Sequence, residues 1–262
     1  MSVASRSVAR CSRPGSKVDD VVAQSRQKKK MLIGIIQSNY LPWRGYFDFI
    51  DDVDLFVIYD DMQYTKNDWR NRNRIKTPQG PAWITVPTKQ VSLNQRIQDT
   101  FIDDRKDWRR KHLESIYHNY HRCLGFGWIY PALKDVLERD IDRLSELNVE
   151  LIKLVCQKLE VTTPIILSST IDVTGEKTNR IIEIVKALGG DAYLSGPAAK
   201  CYLNQDEFKK EGIQLLYKQY DYHSYDQPWG EFVSAVSVID LLASMGKDSK
   251  QFLKSRRGAQ ES

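Results

Sequence analysis

Two short apolar runs constrain this chain most: "LIGIIQ" (32–37) and "DLFVIYDD" (54–61). Each is continuous rather than alternating, so each reads as a strand buried on both faces. Between them, "RGYFDFIDD" (44–52) places Tyr46, Phe47 and Ile50 on one helical face. Strand, helix and strand in so short a stretch predict a right-handed crossover.

The alternation recurs downstream. "PIILSS" (164–169), "DAYLSG" (191–196) and "IQLLYKQY" (213–220) read as strands. "TGEKTNRIIEIVKALGG" (174–190) reads as a helix with Thr174 as its N-cap, and "VSAVSVIDLLASMG" (233–246) as a final helix. "RNRIKTPQGPAWITVPT" (72–88) predicts a hairpin about "TPQGP", and "RIQDTFI" (96–102) a further strand. Helices are expected near 106–120, 130–138 and 140–159, with "GFG" (125–127) as a break. The expected fold is α/β: a Rossmann-like open, mostly parallel sheet with helices on both faces and a β-hairpin insertion.

Charge divides the chain. Of 39 Lys/Arg and 34 Asp/Glu, eight bases and two acids fall in residues 1–30, which leaves the remainder near neutrality. A general nucleic-acid surface is therefore not expected. Residues 1–30 are poor in large apolar side chains and read as a disordered leader. Residues 1–17 carry no acid, as transit peptides do, but Met31 directly before the first strand is the natural start. Residues 31–246 read as one α/β domain and 247–262 as a polar tail. No apolar stretch reaches the ~18 residues of a membrane span. Cys11, Cys123, Cys156 and Cys201 are scattered without a C-x-x-C pair, which fits a reducing cytoplasm and gives neither a disulfide framework nor a zinc site.

In an open parallel sheet, ligands bind at the carboxyl ends of the strands. Four polar clusters fall there. The loop "QSNYLPWRGYF" (37–47) offers Gln37, Asn39, Tyr40, Trp43 and Tyr46. After the second strand come Asp60, Asp61, Gln63, Tyr64 and Lys66. Ser168, Ser169, Thr174, Lys177 and Thr178 form the third cluster, and Ser195, Gly196 and Lys200 the fourth. Arg70, Arg72, Arg74 and Lys76 alternate, so a strand would present them on one face as an anion site. "TGEKT" lacks the spacing of a phosphate loop, and neither G-x-S-x-G nor G-x-G-x-x-G follows a strand. Glu114, His118 and His121 share a helix face by spacing and read as a solvated surface, with no metal assigned. His223, in "YKQYDYHSYDQPWGEF", is the candidate general base.

"IGIIQSNYLPWRGYFDFID", "VDLFVIYDDMQYTKNDWRNRNRIKTPQGPAWITVP", "TGEKTNRIIEIVKALGGDAYLSGPAAKCYL" and "YHSYDQPWGEF" together resemble the WbqC-like family, from Met31 to about Gly246. Ser38 departs from it, standing where the family usually has proline. The resemblance implies the biosynthesis of O-antigen and related surface polysaccharides, and the transfer of glycine or a similar acyl group onto a sugar. At the level of architecture the first strand, loop and helix also resemble nucleotidyltransferases of the His-x-Gly-His type. Aligned on the glycine, this chain has Trp43-Arg44-Gly45-Tyr46, so both phosphate-stabilising histidines are missing.

The expected function is transfer of an acyl or aminoacyl group to a nucleotide-linked amino sugar, with a sugar nucleotide and an acyl donor as small-molecule partners. No cofactor is assigned. Tyr40, Trp43 and Tyr46 would supply an aromatic platform, and Arg72, Arg74 and Lys76 the cations for a diphosphate. His223 or Asp60 would be the base; Asn39, Lys177 and the Ser195-Gly196 backbone would stabilise the oxyanion. Gln37, Asp61, Gln63 and Lys200 would line the same pocket, with His223 facing Asn39 and Asp60. The alternatives are a magnesium-dependent nucleotidyltransferase using Asp60 or Asp61, and a non-catalytic sugar-nucleotide-binding protein.

Overall fold

A computed structural model describes residues 30–89, 92, 94–255 and 260–261. The expected leader, Lys30 excepted, lies outside the described residues. From Met31 the chain runs β1 (Leu32–Ile36), α1 (Arg44–Asp51) and β2 (Leu55–Ile58), then the hairpin β3 (Arg72–Thr77) and β4 (Gly80–Thr85). A small ladder of β5 (Thr88–Lys89) and β6 (Phe101–Ile102) follows, then helices α2 (Trp108–Tyr120), α3 (Phe126–Leu137) and α4 (Leu144–Lys158). The last part is β7 (Ile165–Leu167), α5 (Lys177–Ala187), β8 (Ala192–Ser195), α6 (Gln205–Lys210), β9 (Gln214–Tyr217), α7 (Val238–Met245) and β10 (Gln260–Glu261).

β9, β8, β1, β2 and β7 lie side by side in that order, all parallel, and β10 adds an antiparallel edge at β9. Numbered along the chain, the five parallel strands have the doubly wound order 3-2-1-4-5, which reverses direction between β1 and β8. β1 is central because it can be buried on both faces. Ile33 and Ile35 pack towards α5, while Leu32 and Ile36 pack towards α1. Gly34 lets α1 approach closely: a Cβ there would stand 2.5 Å from a Phe49 ring carbon. One core therefore holds α1, α2, α3, α4 and α7 against one face, and a second holds α5 and α6 against the other.

The architecture is the expected one, but several local expectations change. The hairpin turns over Pro78 and Gln79, pairing Thr77 with Gly80. The strand expected over 96–102 is instead a 3-10 turn, Ile97–Asp99, followed by the two residues of β6. Its side chains do not alternate: Ile97, Thr100 and Ile102 are buried, as a turn laid against α4 requires. α5 starts later than expected, with Glu176 rather than Thr174 in the N-cap position and no side-chain cap. α7 is shorter than the expected helix because Ser237 caps it and accepts from Ile239 N at 3.3 Å. The expected tail is ordered where it is described: a 3-10 turn spans Gly246–Phe252, and Leu253 is fully buried. No helix among the described residues is long and apolar enough to cross a membrane.

Candidate functional site

A cleft of about 380 Å3 opens at the carboxyl ends of β1, β2 and β8. β1 contributes Ile36 and Gln37, the end of β2 Tyr59 and Met62, and the end of β8 Ser195 and Gly196. Lys177 at the start of α5, and Tyr202 beyond β8, complete the mouth. This is the reversal point of the sheet, where flanking loops leave in opposite directions and no helix fills the gap. Gln37, Lys177, Ser195 and Gly196, drawn from three of the sequence clusters, meet here.

The polar surroundings are arranged by ion pairs. Arg180, one turn into α5, pairs with Asp61 and donates to the Val173 carbonyl at 2.8 Å. Burial raises the Tyr59 phenol's pKa, and the neighbouring Arg180 charge opposes that shift. Lys177 has φ 50°, in the left-handed region that side chains avoid, two residues after Gly175 at φ 113°. Such local strain persists only where the surroundings enforce it.

The loop 37–43 is held at the backbone of Tyr40, Leu41 and Pro42 and at the side chains of Gln37 and Asn39. Tyr40 N donates to the Trp69 carbonyl at 2.9 Å, and Asn73 Nδ2 donates to the carbonyls of Tyr40 and Leu41 at 3.2 and 2.8 Å. Val238 N donates to the Pro42 carbonyl at 2.9 Å. Arg70 donates to Gln37 Oε1, and to Asn39 Oδ1 at 3.4 Å. Asp68 stands 3.5 Å from Arg70. Trp43 packs edge-on against Tyr220 and Tyr222, with centroids 4.9 and 5.7 Å away. It also walls a smaller pocket of about 250 Å3 with Asn39, Pro42, Trp69, Asn73 and Ala235.

Other expected site residues are buried or engaged by neighbouring segments. Tyr40 is fully buried with Oη 2.9 Å from His112 Nδ1, and Tyr46 is buried with its hydroxyl donating to the Gln37 carbonyl at 3.0 Å. Neither ring offers a stacking face: Tyr40 packs against Trp108 and His112 of α2, and Tyr46, on α1, packs against Phe56 of β2. Lys76 is buried, and its ammonium donates to Gln227 Oε1 and to the Gly230 and Glu231 carbonyls at 3.2, 3.2 and 2.5 Å. It shares a face with Arg72 and Arg74 as alternation requires, but the 227–231 loop covers it. Arg72 lies 4.1 Å over the Trp83 ring, and Arg74 donates to the Ala235 carbonyl at 2.9 Å.

Asp60 is buried and saturated: its carboxylate accepts from Ser168 Oγ, Ser169 N and Ser169 Oγ at 3.0, 3.0 and 2.7 Å. A carboxylate so engaged is poorly placed to take a proton from a substrate. Gln63 is exposed and bridges through its backbone to Arg96, and Lys200 lies 5.0 Å over the Tyr217 ring. The two aromatic segments do meet, through Trp43, Tyr220 and Tyr222, but His223 is exposed and lines neither the cleft nor the tryptophan pocket.

Tyr59, Tyr193, Arg180 and Trp69 escaped notice in the sequence. Arg180 had a signal, since it stands three residues after Lys177 and shares its helical face. Tyr59 directly ends the β2 run. A roomier hollow of about 520 Å3 lies between the hairpin and α2, lined by Lys66, Lys106, Lys111 and Trp83 among others. It takes no residue from the parallel sheet and is not the place the topology favours for a ligand.

Comparison with known proteins bears on this geometry. The chain is 41% identical over 225 residues to Uncharacterized protein Rv1507c of Mycobacterium tuberculosis (strain ATCC 25618 / H37Rv), an alignment covering 85% of this chain and 97% of that protein. No solved structure matches it significantly. The WbqC-like protein family matches residues 37–252, a span that includes the loop after β1, the cleft and the 3-10 turn behind α7. The chain belongs to the WbqC-like protein family.

Proposed function

We propose that the protein binds a sugar nucleotide in the cleft between β1 and β8, and transfers an acyl or aminoacyl group, such as glycyl, to the amino group of the sugar. The observation that carries this reading is the cleft's position at the reversal of a 3-2-1-4-5 sheet, with tyrosine rings and a lysine on its walls. Tyr59 and Tyr202 offer ring surface to a base, and Lys177 offers a cation to a diphosphate. In the transfer, the sugar amine nitrogen attacks the acyl carbon and an amide bond forms. The leaving group departs with its electron pair, and the amine proton is released. Lys177 and Asn39 are the donors available to the tetrahedral oxyanion. Family membership supports a surface-polysaccharide setting, and free Cys123, Cys156 and Cys201 fit a reducing cytoplasm. Nucleotidyl transfer through Asp60 and Asp61 has less support, since serines and Arg180 already engage them.

Calorimetry with UDP-, dTDP- and GDP-linked amino sugars tests the reading. Gly196→Leu should weaken binding at least about tenfold without unfolding the protein, because a Cβ at Gly196 meets nothing within 4 Å and projects into open cleft space. Mass spectrometry of incubations with acyl and aminoacyl donors should then find the acylated sugar nucleotide. Failure of every nucleotide to bind overturns the reading; binding without product for any donor reduces it to a binding protein.

A further inference from the structure

We propose that the pocket between Trp43 and Trp69 is a pyranose subsite, holding the sugar ring of the ligand whose nucleotide occupies the β1/β8 cleft, with Arg70 facing the phosphates between them. The link between the two sites rests on the sugar-nucleotide reading; the ring-binding chemistry of the pocket does not.

Trp69 is 42% exposed and Trp83 46% exposed, with centroids 5.5 Å apart. Two adjacent indoles left nearly half exposed form an apolar surface patch, and such patches mark binding surfaces. The walls are rigid. Trp43 is held by Tyr220 and Tyr222, and its ring occupies the space a side chain at position 45 would need: a Cβ on Gly45 would stand 2.4 Å from it. The Trp69 carbonyl is held by Tyr40 N at 2.9 Å, and Trp69 N donates to Asp68 Oδ1 at 2.7 Å.

The pocket's polarity selects the occupant. Two indoles and Pro42 supply apolar faces, while Asn39, whose Oδ1 accepts from Arg70, keeps Nδ2 for a further acceptor. A pyranose has an apolar C–H face and a hydroxyl edge, which matches both. A purely apolar acyl chain would leave the Asn39 amide dry and unpaired.

Spacing joins the two sites. Gln37 lines the cleft and Asn39 the pocket, two residues on and so at most about 7.6 Å apart at Cα. Arg70 bonds both side chains through neutral amide oxygens, with the Asp68 carboxylate 3.5 Å away as its partial counter-ion. A diphosphate spans such a gap, and a guanidinium held there is suited to pair with it.

The test compares UDP, dTDP and GDP with their hexose and N-acetylhexosamine esters by calorimetry, and adds free methyl glycosides by saturation-transfer NMR. Ala235→Trp fills the pocket from an exposed position, and Trp69→Ala removes one wall. Expected are an affinity for at least one ester about tenfold above its parent nucleotide, loss of that advantage in both variants, and unchanged binding of the nucleotide alone. Equal affinity of ester and nucleotide in the native protein, or an advantage that survives both variants, overturns the subsite and leaves the cleft reading intact. If no nucleotide binds, but glycosides show saturation transfer that both variants abolish, the cleft reading fails and the pyranose subsite stands. If neither class binds, both are overturned.

Discussion

His112 lies on α2 with His118, just before His121, and of the three its ring is the one that turns inward. It is buried between Tyr40 Oη, 2.9 Å from Nδ1, and the Thr85 backbone. Burial lowers its pKa from 6.5 to about 4, so the folded protein holds it neutral. Above pH 6.5 neither state is protonated there and its contribution is complete. As pH falls from 6.5 towards 4 the unfolded chain takes up the proton first, so stability falls by up to about 3 kcal/mol. Urea unfolding between pH 7.5 and 4.5 should show that slope, and His112→Gln should flatten it. A slope unchanged in the variant would assign it to other groups. Helical spacing groups residues on a face, but it cannot say which side of α2 meets the hairpin. The same limit explains Tyr40 and Tyr46. Their place in a polar loop suggested a platform, while the fold closed α2 over Tyr40 and turned Tyr46 inward onto β2.

Among the elements, the connection from α2 to α3 depends on one close approach. A Cβ on Gly125 would lie 2.2 Å from the Leu242 carbonyl and 2.4 Å from the Gly246 Cα, both backbone atoms that cannot swing away. Gly125→Ala should therefore destabilise the fold by about 1–3 kcal/mol. Gly127, inside α3 with nothing within 4 Å of its Cβ position, should behave oppositely. Gly127→Ala should stabilise by about 0.5–1 kcal/mol through helix propensity and reduced chain entropy. Denaturant midpoints of the two variants should move in opposite directions; a shared direction would refute the account. The sequence placed a helix break over 125–127, but it did not show that only Gly125 stands at the break, pressed against α7, while Gly127 lies within α3. The hairpin was legible because its turn chemistry is local, and so was the one-face alternation of Arg72, Arg74 and Lys76. The cover over Lys76 was not, since residues 227–231 arrive from about 150 positions away.

For the whole molecule, the segment after β9 is tied back to α1 by buried charge. Lys218, fully buried, pairs with Asp48 at 2.6 Å and with Asp52, while Tyr222 Oη and Ser255 N reach Asp48 at 2.8 and 3.1 Å. Lys218→Met should cost up to about 3–5 kcal/mol by removing the buried cation from Asp48 and leaving it only the half-exposed Lys254 at 3.6 Å, and adding Asp48→Asn should recover part of it. A double-mutant cycle without coupling would sink this account. The sequence by itself determined the α/β class, the parallel strands and the edge of the sheet at which the cleft opens. Apolar runs and turn residues act over a few neighbours, and a doubly wound sheet leaves its strand ends open in one place. Sequence also singled out Gln37, Lys177, Ser195 and Gly196, because they directly follow strands or open a helix. Only the tertiary structure decided which polar groups stay available. It saturated Asp60 with two serines from beyond β7 and sealed Lys76 under a distant loop. It left His223 in solvent and joined Trp43 to Trp69. Those outcomes rest on desolvation and on hydrogen-bond partners contributed by remote segments, and neither is written in the residues adjoining each group.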